Sequence, residues 1–403
     1  MDAGTLAILL ALLALAGFGV SVVATRAMMA LAPRIGLVDK PGHRKIHHDA
    51  RPLGGGAGIF LGVAVPLLVG VAALKAIPEK HVYDQWSRLA DLAPDSTPPI
   101  VTPAVPLYGF DPALFRGALE QVSLLLAFLA AGLGMFLLGL VDDRRALGPF
   151  VKLGVQLAIT VGLVAAFPEV RLLTVLGTIP SVIVTVLWIA GVTNAFNFLD
   201  NMDGLSGGVA AICATVLLAA SLLAGQIFVP ATLALFVGAT LGFLYWNFPP
   251  LGGPAKIFMG DSGSLFVGLV LGVMTVRTTY VPPSVDFSTM GGGWYGVFAP
   301  LVVLAVPLYD MGVVSCIRIA RGKSPFVGDT NHFSHRLVQR GMTKRTAVLT
   351  IWLVAAATGL AALVLPLVAS PLAAWLIFAQ TLLILGVVML LERHPLPKDA
   401  GDA

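Results

Sequence analysis

VSLLLAFLAAGLGMFLLGLV, residues 122–141, carries no charged side chain and runs directly into Asp142-Asp143. In a helix such a run reaches about 30 Å, the thickness of a bilayer's hydrocarbon core. About ten further apolar runs of roughly 17–25 residues repeat the pattern. They fall at 6–31, 56–74, 151–167, 174–192, 208–224, 228–248, 265–280, 297–317, 347–368 and 371–391. The runs at 151–167 and 265–280 are short, so the count is eleven membrane helices, or ten. None of the alternating segments of a membrane barrel is present. The expected fold is all-α and polytopic.

Composition agrees. Of 403 residues, 57% are hydrophobic and 11% charged, with a mean hydropathy of +0.91. Soluble domains carry about 25% charged residues. The net charge of +4 comes from lysines and arginines that flank apolar runs, which is no signal for nucleic acid. Cys213 and Cys316 lie far apart within apolar runs and read as packing residues rather than as a disulfide or a zinc site. The first run lacks the basic leader and cleavage site of a signal peptide and reads as a retained span.

Alternating the loops by span counting places 19 of the 25 lysines and arginines on one side. The positive-inside rule makes that side cytoplasmic, with the N-terminus outside. The simplest organisation is one membrane domain over 1–396 and a C-terminal tail at 397–403. A Pro-rich insert near 77–119 is expected outside, and a basic loop at 318–345 inside. No repeat of the inverted-transporter kind is visible.

Polar islands interrupt this chain, all on the basic side. Carboxylates at membrane helices are costly and mark function by default. Asp142-Asp143 at a helix end is either a solvated stop or a pair needing compensation, because like charges repel and oppose the helix dipole there. The neighbouring arginines, a divalent cation or a phosphate-binding lysine would supply it. Asn194, Asn197, Asp200 and Asp203 recur every three residues as the fifth run ends, which brings neighbours together on a helix. Their oxygens suit Mg²⁺ or Mn²⁺ and not soft metals. Gly260-Asp261-Ser262-Gly263-Ser264 opens the eighth run, where free N–H groups favour anions. Asp261 is there either an N-cap or a metal ligand.

Two basic loops complete the face. They hold five of the seven histidines: His43, His47 and His48 near Lys45, and His332 and His335 beside Arg336. Attraction to anionic lipid explains the lysines and arginines well, and the histidines poorly. Asp310, inside the ninth run, must be paired, protonated or facing a polar cavity.

Taken in order, these motifs resemble the polyprenyl-phosphate N-acetylhexosamine-1-phosphate transferases, glycosyltransferase family 4. The likeness runs from about Gly36 to Arg336. It is carried by the paired aspartates, the Asn-x-x-Asn-x-x-Asp-x-x-Asp-Gly-Leu segment and Met-Gly-Asp-x-Gly-Ser together. Asn194-Ala195-Phe196-Asn197, and Asp329 with His332 and His335, favour the bacterial undecaprenyl-phosphate N-acetylglucosaminyl-1-phosphate branch. No histidine triplet of the muramoyl-pentapeptide branch, the alternative, is found. Ser334 stands where the pattern has histidine, and Asn201 where it has glycine.

The resemblance implies transfer of a sugar-1-phosphate from a UDP-sugar to undecaprenyl phosphate, giving the lipid diphosphate sugar and UMP. This is the first membrane step of a cell-envelope glycan. It implies Mg²⁺ (or Mn²⁺) on Asp261 and Asn197, with Asp142, Asp143, Asp200 and Asp203 catalytic. Lys45, Asn194, Asn197, His332, His335 and Arg336 are implied to bind substrate. The implied setting is the bacterial inner membrane with a cytoplasmic active face, a homodimer being compatible. A secondary transporter for an anionic substrate is the alternative of another class, but it calls for midplane charges in broken helices.

Overall fold

The computed structural model describes residues 2–39, 51–78, 82, 112–280, 294–326, 330–365, 367 and 370–393. Lys45 with its histidine neighbours, Asp329, most of the 77–119 insert and the 397–403 tail lie outside them. Among the described residues, helices and the turns and loops that join them make up all but one small antiparallel ribbon. Its helices are α1 (Ala3–Leu31), α2 (Gly56–Ala76), α3 (Pro112–Arg144), α4 (Pro149–Ala166), α5 (Thr178–Leu199), α6 (Leu205–Leu223) and α7 (Phe228–Asn247). There follow α8 (Gly260–Thr278), α9 (Trp294–Val303), α10 (Ala305–Ala320), α11 (Phe333–Gln339), α12 (Lys344–Ala362) and α13 (Pro371–Arg393). The ribbon pairs β1 (Val38–Asp39) with β2 (Arg51–Pro52), in register Val38 to Pro52 and Asp39 to Arg51.

Each of the eleven apolar runs coincides with a helix or helix pair. Among the described residues, nine helices are long and apolar enough to cross a membrane, and a bent pair raises the total to ten. The eleventh run is α8, and it differs in kind. All but three of its 19 residues are buried, because it sits between α2, α3, α5 and α6. Outward faces elsewhere are apolar: Leu12, Val23, Ile183, Leu187, Leu353 and Leu383 are each more than half exposed, as lipid contact requires.

Small residues let these backbones touch, since apolar side chains alone give helices little reason to associate in lipid. A Cβ on Gly139 of α3 would lie 2.3 Å from the Asp261 backbone of α8, and one on Gly56 of α2 would lie 2.3 Å from Gly263. The ninth run departs from expectation. It is α9 and α10, bent by 75° across Leu304. Pro307 has no N–H for the carbonyl of Val303, and the Cys213 thiol approaches that oxygen instead, at 3.2 Å. Cys213 is buried as expected. Cys316 is not a packing residue: it is exposed on α10, on the outer surface.

Candidate active site at one end of the bundle

α3 delivers Asp142 and Asp143 to the same end of the bundle as the last turn of α5 and the first turn of α8. Between them stands a residue that motif reading passed over. Lys152, in the first turn of α4, donates from Nζ to Asp142 Oδ2 at 2.9 Å, to Asn197 Oδ1 at 3.2 Å and to Asp261 Oδ2. Asp261 Oδ1 in turn accepts from Asn197 Nδ2 at 2.9 Å, and that amide also donates to Ser264 Oγ at 2.9 Å. Asp142 Oδ1 accepts from the Leu147 N–H at 2.5 Å, which closes the α3–α4 turn. Three hard oxygens from three helices therefore converge on one positive centre. The available signal was simple, since Lys152 is the sole charged residue of α4.

Asp143 has a different task. It accepts the N–H groups of Asp261 at 2.7 Å and Ser262 at 3.1 Å, capping α8 from another helix. Those two N–H groups, expected from sequence to face an anion, are thus engaged by a carboxylate of the chain. Gly260 makes the cap fit: its φ is +76°, and a Cβ there would lie 2.6 Å from Asp143 Oδ2. Asp261 is not the N-cap; Met259 is, without a side-chain bond.

Beyond α5 the chain turns through Asp200 to Gly204. Asp200 is half-buried, and desolvation, with the charges of Asp261, Asp143 and Asp203, pushes its carboxyl well above the usual range. Asp203 accepts from the Ala255 N–H at 3.1 Å and so holds the 249–257 loop. Asn194 lies one turn deeper, donating to Gln156 Oε1 at 2.7 Å and the Ala190 carbonyl at 2.8 Å, which ties α5 to α4.

Two carboxylates meet the Lys152 ammonium, and Asp143 and Asp200 add negative charge close to Asp261, an excess that favours a cation. Among the described residues no three His, Cys, Asp or Glu side chains form a ready-made metal cage. The acceptors that meet at Lys152 are carboxylate and amide oxygens, the ligand type Mg²⁺ takes, one or two at a time beside waters and substrate phosphates. Asp261 and Asn197, whose oxygens already face a positive charge, fit such an ion.

The histidine segment reaches this end on α11. Asp310 is paired: Oδ2 lies 2.8 Å from His332 Nδ1, and Oδ1 accepts from the Phe333 N–H at 2.6 Å. A carboxylate there makes Nδ1 the donor and directs His332 Nε2 towards Arg318 Nη2, 3.5 Å away. Arg318, absent from the sequence-derived set, also stacks over Phe198 at 5.2 Å. The His335 ring lies 6.2 Å from that of His332. Arg336 has partners within the protein: Nε donates to Glu392 Oε2 of α13 at 2.7 Å, and Nη1 to the Asn331 carbonyl. Glu392 also accepts from the Tyr309 hydroxyl at 3.4 Å.

Comparison with known proteins finds relatives of one family. Residues 125–279 match the family described as glycosyl transferase family 4. A decaprenyl-phosphate N-acetylglucosaminephosphotransferase of Mycolicibacterium smegmatis is 30% identical over 365 residues, 85% of this chain and 79% of that protein. A probable undecaprenyl-phosphate N-acetylglucosaminyl 1-phosphate transferase of Bacillus subtilis is 29% identical over 83% of this chain and 79% of its own length. The undecaprenyl-phosphate alpha-N-acetylglucosaminyl 1-phosphate transferase of Escherichia coli K12 is 26% identical over 81% of this chain and 76% of its own length.

Proposed function

The chain belongs to glycosyl transferase family 4, in its polyprenyl-phosphate N-acetylglucosaminyl 1-phosphate transferase branch, and from that premise we propose a specific reaction. The phosphate of undecaprenyl phosphate attacks the sugar-bearing phosphorus of UDP-N-acetylglucosamine. A new P–O bond forms, the bridging P–O bond breaks, and UMP leaves with the bonding pair. The product is undecaprenyl diphosphate N-acetylglucosamine, made at the cytoplasmic face.

The observation that carries this reading is the placement of Lys152 at the meeting point of Asp142, Asn197 and Asp261. A site with more carboxylates than cations is suited to a metal-bound diphosphate. Asp261 and Asn197 would hold Mg²⁺, which when bound neutralises diphosphate charge and polarises the phosphorus. Lys152 binds a phosphate oxygen as a point charge, and Asp142 orients that ammonium. Asp143 acts one step back, holding the first turn of α8 and hence Asp261. Asp200, kept protonated more readily than an ordinary carboxyl, can donate a hydrogen bond to phosphate. His332, held by Asp310 and next to Arg318, and His335 are assigned to the diphosphate and nucleotide portions, and Lys45 to the diphosphate, by family resemblance. Arg336 supports them by anchoring α11. A phosphate's second pKa is about 6, so the acceptor is largely dianionic at neutral pH and needs no dedicated base. Catalysis is positioning and charge neutralisation.

Purified protein in nanodiscs with undecaprenyl phosphate, given a panel of radiolabelled UDP-sugars, tests the donor. Label should enter the lipid fraction from UDP-N-acetylglucosamine. Turnover of UDP-muramoyl-pentapeptide alone would reassign the branch chemistry.

A further inference from the structure

Ser334 Oγ donates to Asn201 Oδ1 at 2.5 Å, joining the turn after α5 to α11. These are the two positions at which the motifs depart from the family wording. In the fold the two departures are a single contact. Asn201 is fixed for it: its N–H reaches the Leu199 carbonyl at 2.9 Å and its Nδ2 the Phe198 carbonyl at 2.9 Å, which turns Oδ1 towards α11. Ser334 is 1% exposed, so a glycine at 201 would leave a buried hydroxyl without this acceptor.

The contact also lies between two groups that one donor must reach together. Asn201 follows Asn197 and Asp200 of the carboxylate cluster, and Ser334 stands between His332 and His335. We infer that Asn201 and Ser334 form a positioning pair, setting the distance between the cluster and the α11 histidines and with it the fit of the donor diphosphate. This rests on the transferase reading above. Neither residue is assigned a contact with reacting atoms.

Two measurements test it, one of them independent of turnover. In detergent, the melting temperatures of Asn201→Ala, Ser334→Ala and the double variant should be non-additive, because either change alone removes the bond. In kinetics, Asn201→Gly and Ser334→Ala should each lower kcat/KM for the UDP-sugar about tenfold, the scale of one buried hydrogen bond, and leave the KM for polyprenyl phosphate unchanged. The double variant Asn201→Gly/Ser334→Ala should fall little further than its worse parent, because either change alone already breaks the bond. Additive melting shifts would overturn the pair, as would silent single variants or a double whose loss is the product of its parents' losses. Wild-type protein that transfers nothing from UDP-N-acetylglucosamine would overturn the donor reading instead, and the melting cycle would then decide the pair alone.

Discussion

The carboxylate cluster and the α11 segment stand at the same end of the molecule but are held in opposite ways. The cluster is built from the ends of long helices whose backbones touch through Gly56, Gly139 and Gly263. Its side chains inherit their positions from the bundle. α11 has seven residues, too few to be stable alone, and side chains of other elements hold it in place. Asp310 of α10 takes its first N–H and His332, Asn201 takes Ser334, and Glu392 of α13 takes Arg336. Losing a cluster residue should therefore remove chemistry and leave the fold intact. Losing an α11 partner should loosen a loop, with smaller effects on rate and visible effects on stability.

The largest effect should come from the cluster. Asp261→Asn or Lys152→Ala should lower kcat by about two to three decades, the scale of removing one preorganised electrostatic group, with melting temperature little changed. Parallel collapse of stability and rate would erase the contrast between the two regions. Gly260→Ala comes next. A side chain in the left-handed region costs about 1–2 kcal/mol before the Asp143 cap is displaced, so activity should drop at least about tenfold and stability with it. Wild-type behaviour of this variant would mean that the α8 cap is dispensable.

Partners of α11 should rank below these. Asp310→Asn leaves an amide where His332 needs an acceptor carboxylate, and should cost about tenfold in kcat/KM. Glu392→Gln should lower the melting temperature by a few degrees and kcat/KM by less than tenfold, because a hydrogen bond to Arg336 remains. Smallest of all, Arg321→Gln, Lys323→Gln and Lys344→Gln should stay within a few-fold of wild type if these charges mainly set topology. Equal mild losses across these three and His332, His335 and Arg336 would reduce the whole segment to a basic anchor.

The sequence disclosed the helices because a bilayer imposes a length and an apolarity that any reader can count. It disclosed Asp261 and Asn197 because oxygen-bearing side chains are rare in such a chain. Lys152 escaped because a lone lysine near a membrane boundary usually reports topology, and only the fold shows three oxygens around it. Glu392 and Arg318 escaped for a related reason: their partners lie 56 residues away in the first case and on another helix in the second. Asp143 stands out in the sequence as a costly carboxylate at a helix end, but its use as a remote helix cap depends on a glycine-mediated approach of α3 to α8. The bend at Leu304 was likewise beyond hydropathy, although Pro307 marks it in retrospect.

Asp200 adds a pH test of the cluster. Its carboxyl is raised by burial and by Asp261, Asp143 and Asp203, so the fold favours its protonated form. That contribution is present at low pH and is lost as pH rises through the folded value, when one more negative charge must be held. Metal-free protein should therefore lose thermal stability as pH climbs above the ordinary carboxylate range, and Mg²⁺ should restore it. A flat profile with no response to Mg²⁺ would remove Asp200 from the cluster's charge balance.

The central claim is that this cluster binds a cation and a diphosphate for phosphoryl transfer. The direct measurement follows label from UDP-N-acetylglucosamine into undecaprenyl diphosphate sugar, in nanodiscs, before and after exhaustive chelation with EDTA. Transfer should cease on chelation, return with Mg²⁺ and not with Zn²⁺, and stay about two to three decades below wild type in Asp261→Asn even with Mg²⁺ present. Undiminished transfer after chelation, with Asp261→Asn as active as wild type, would contradict it.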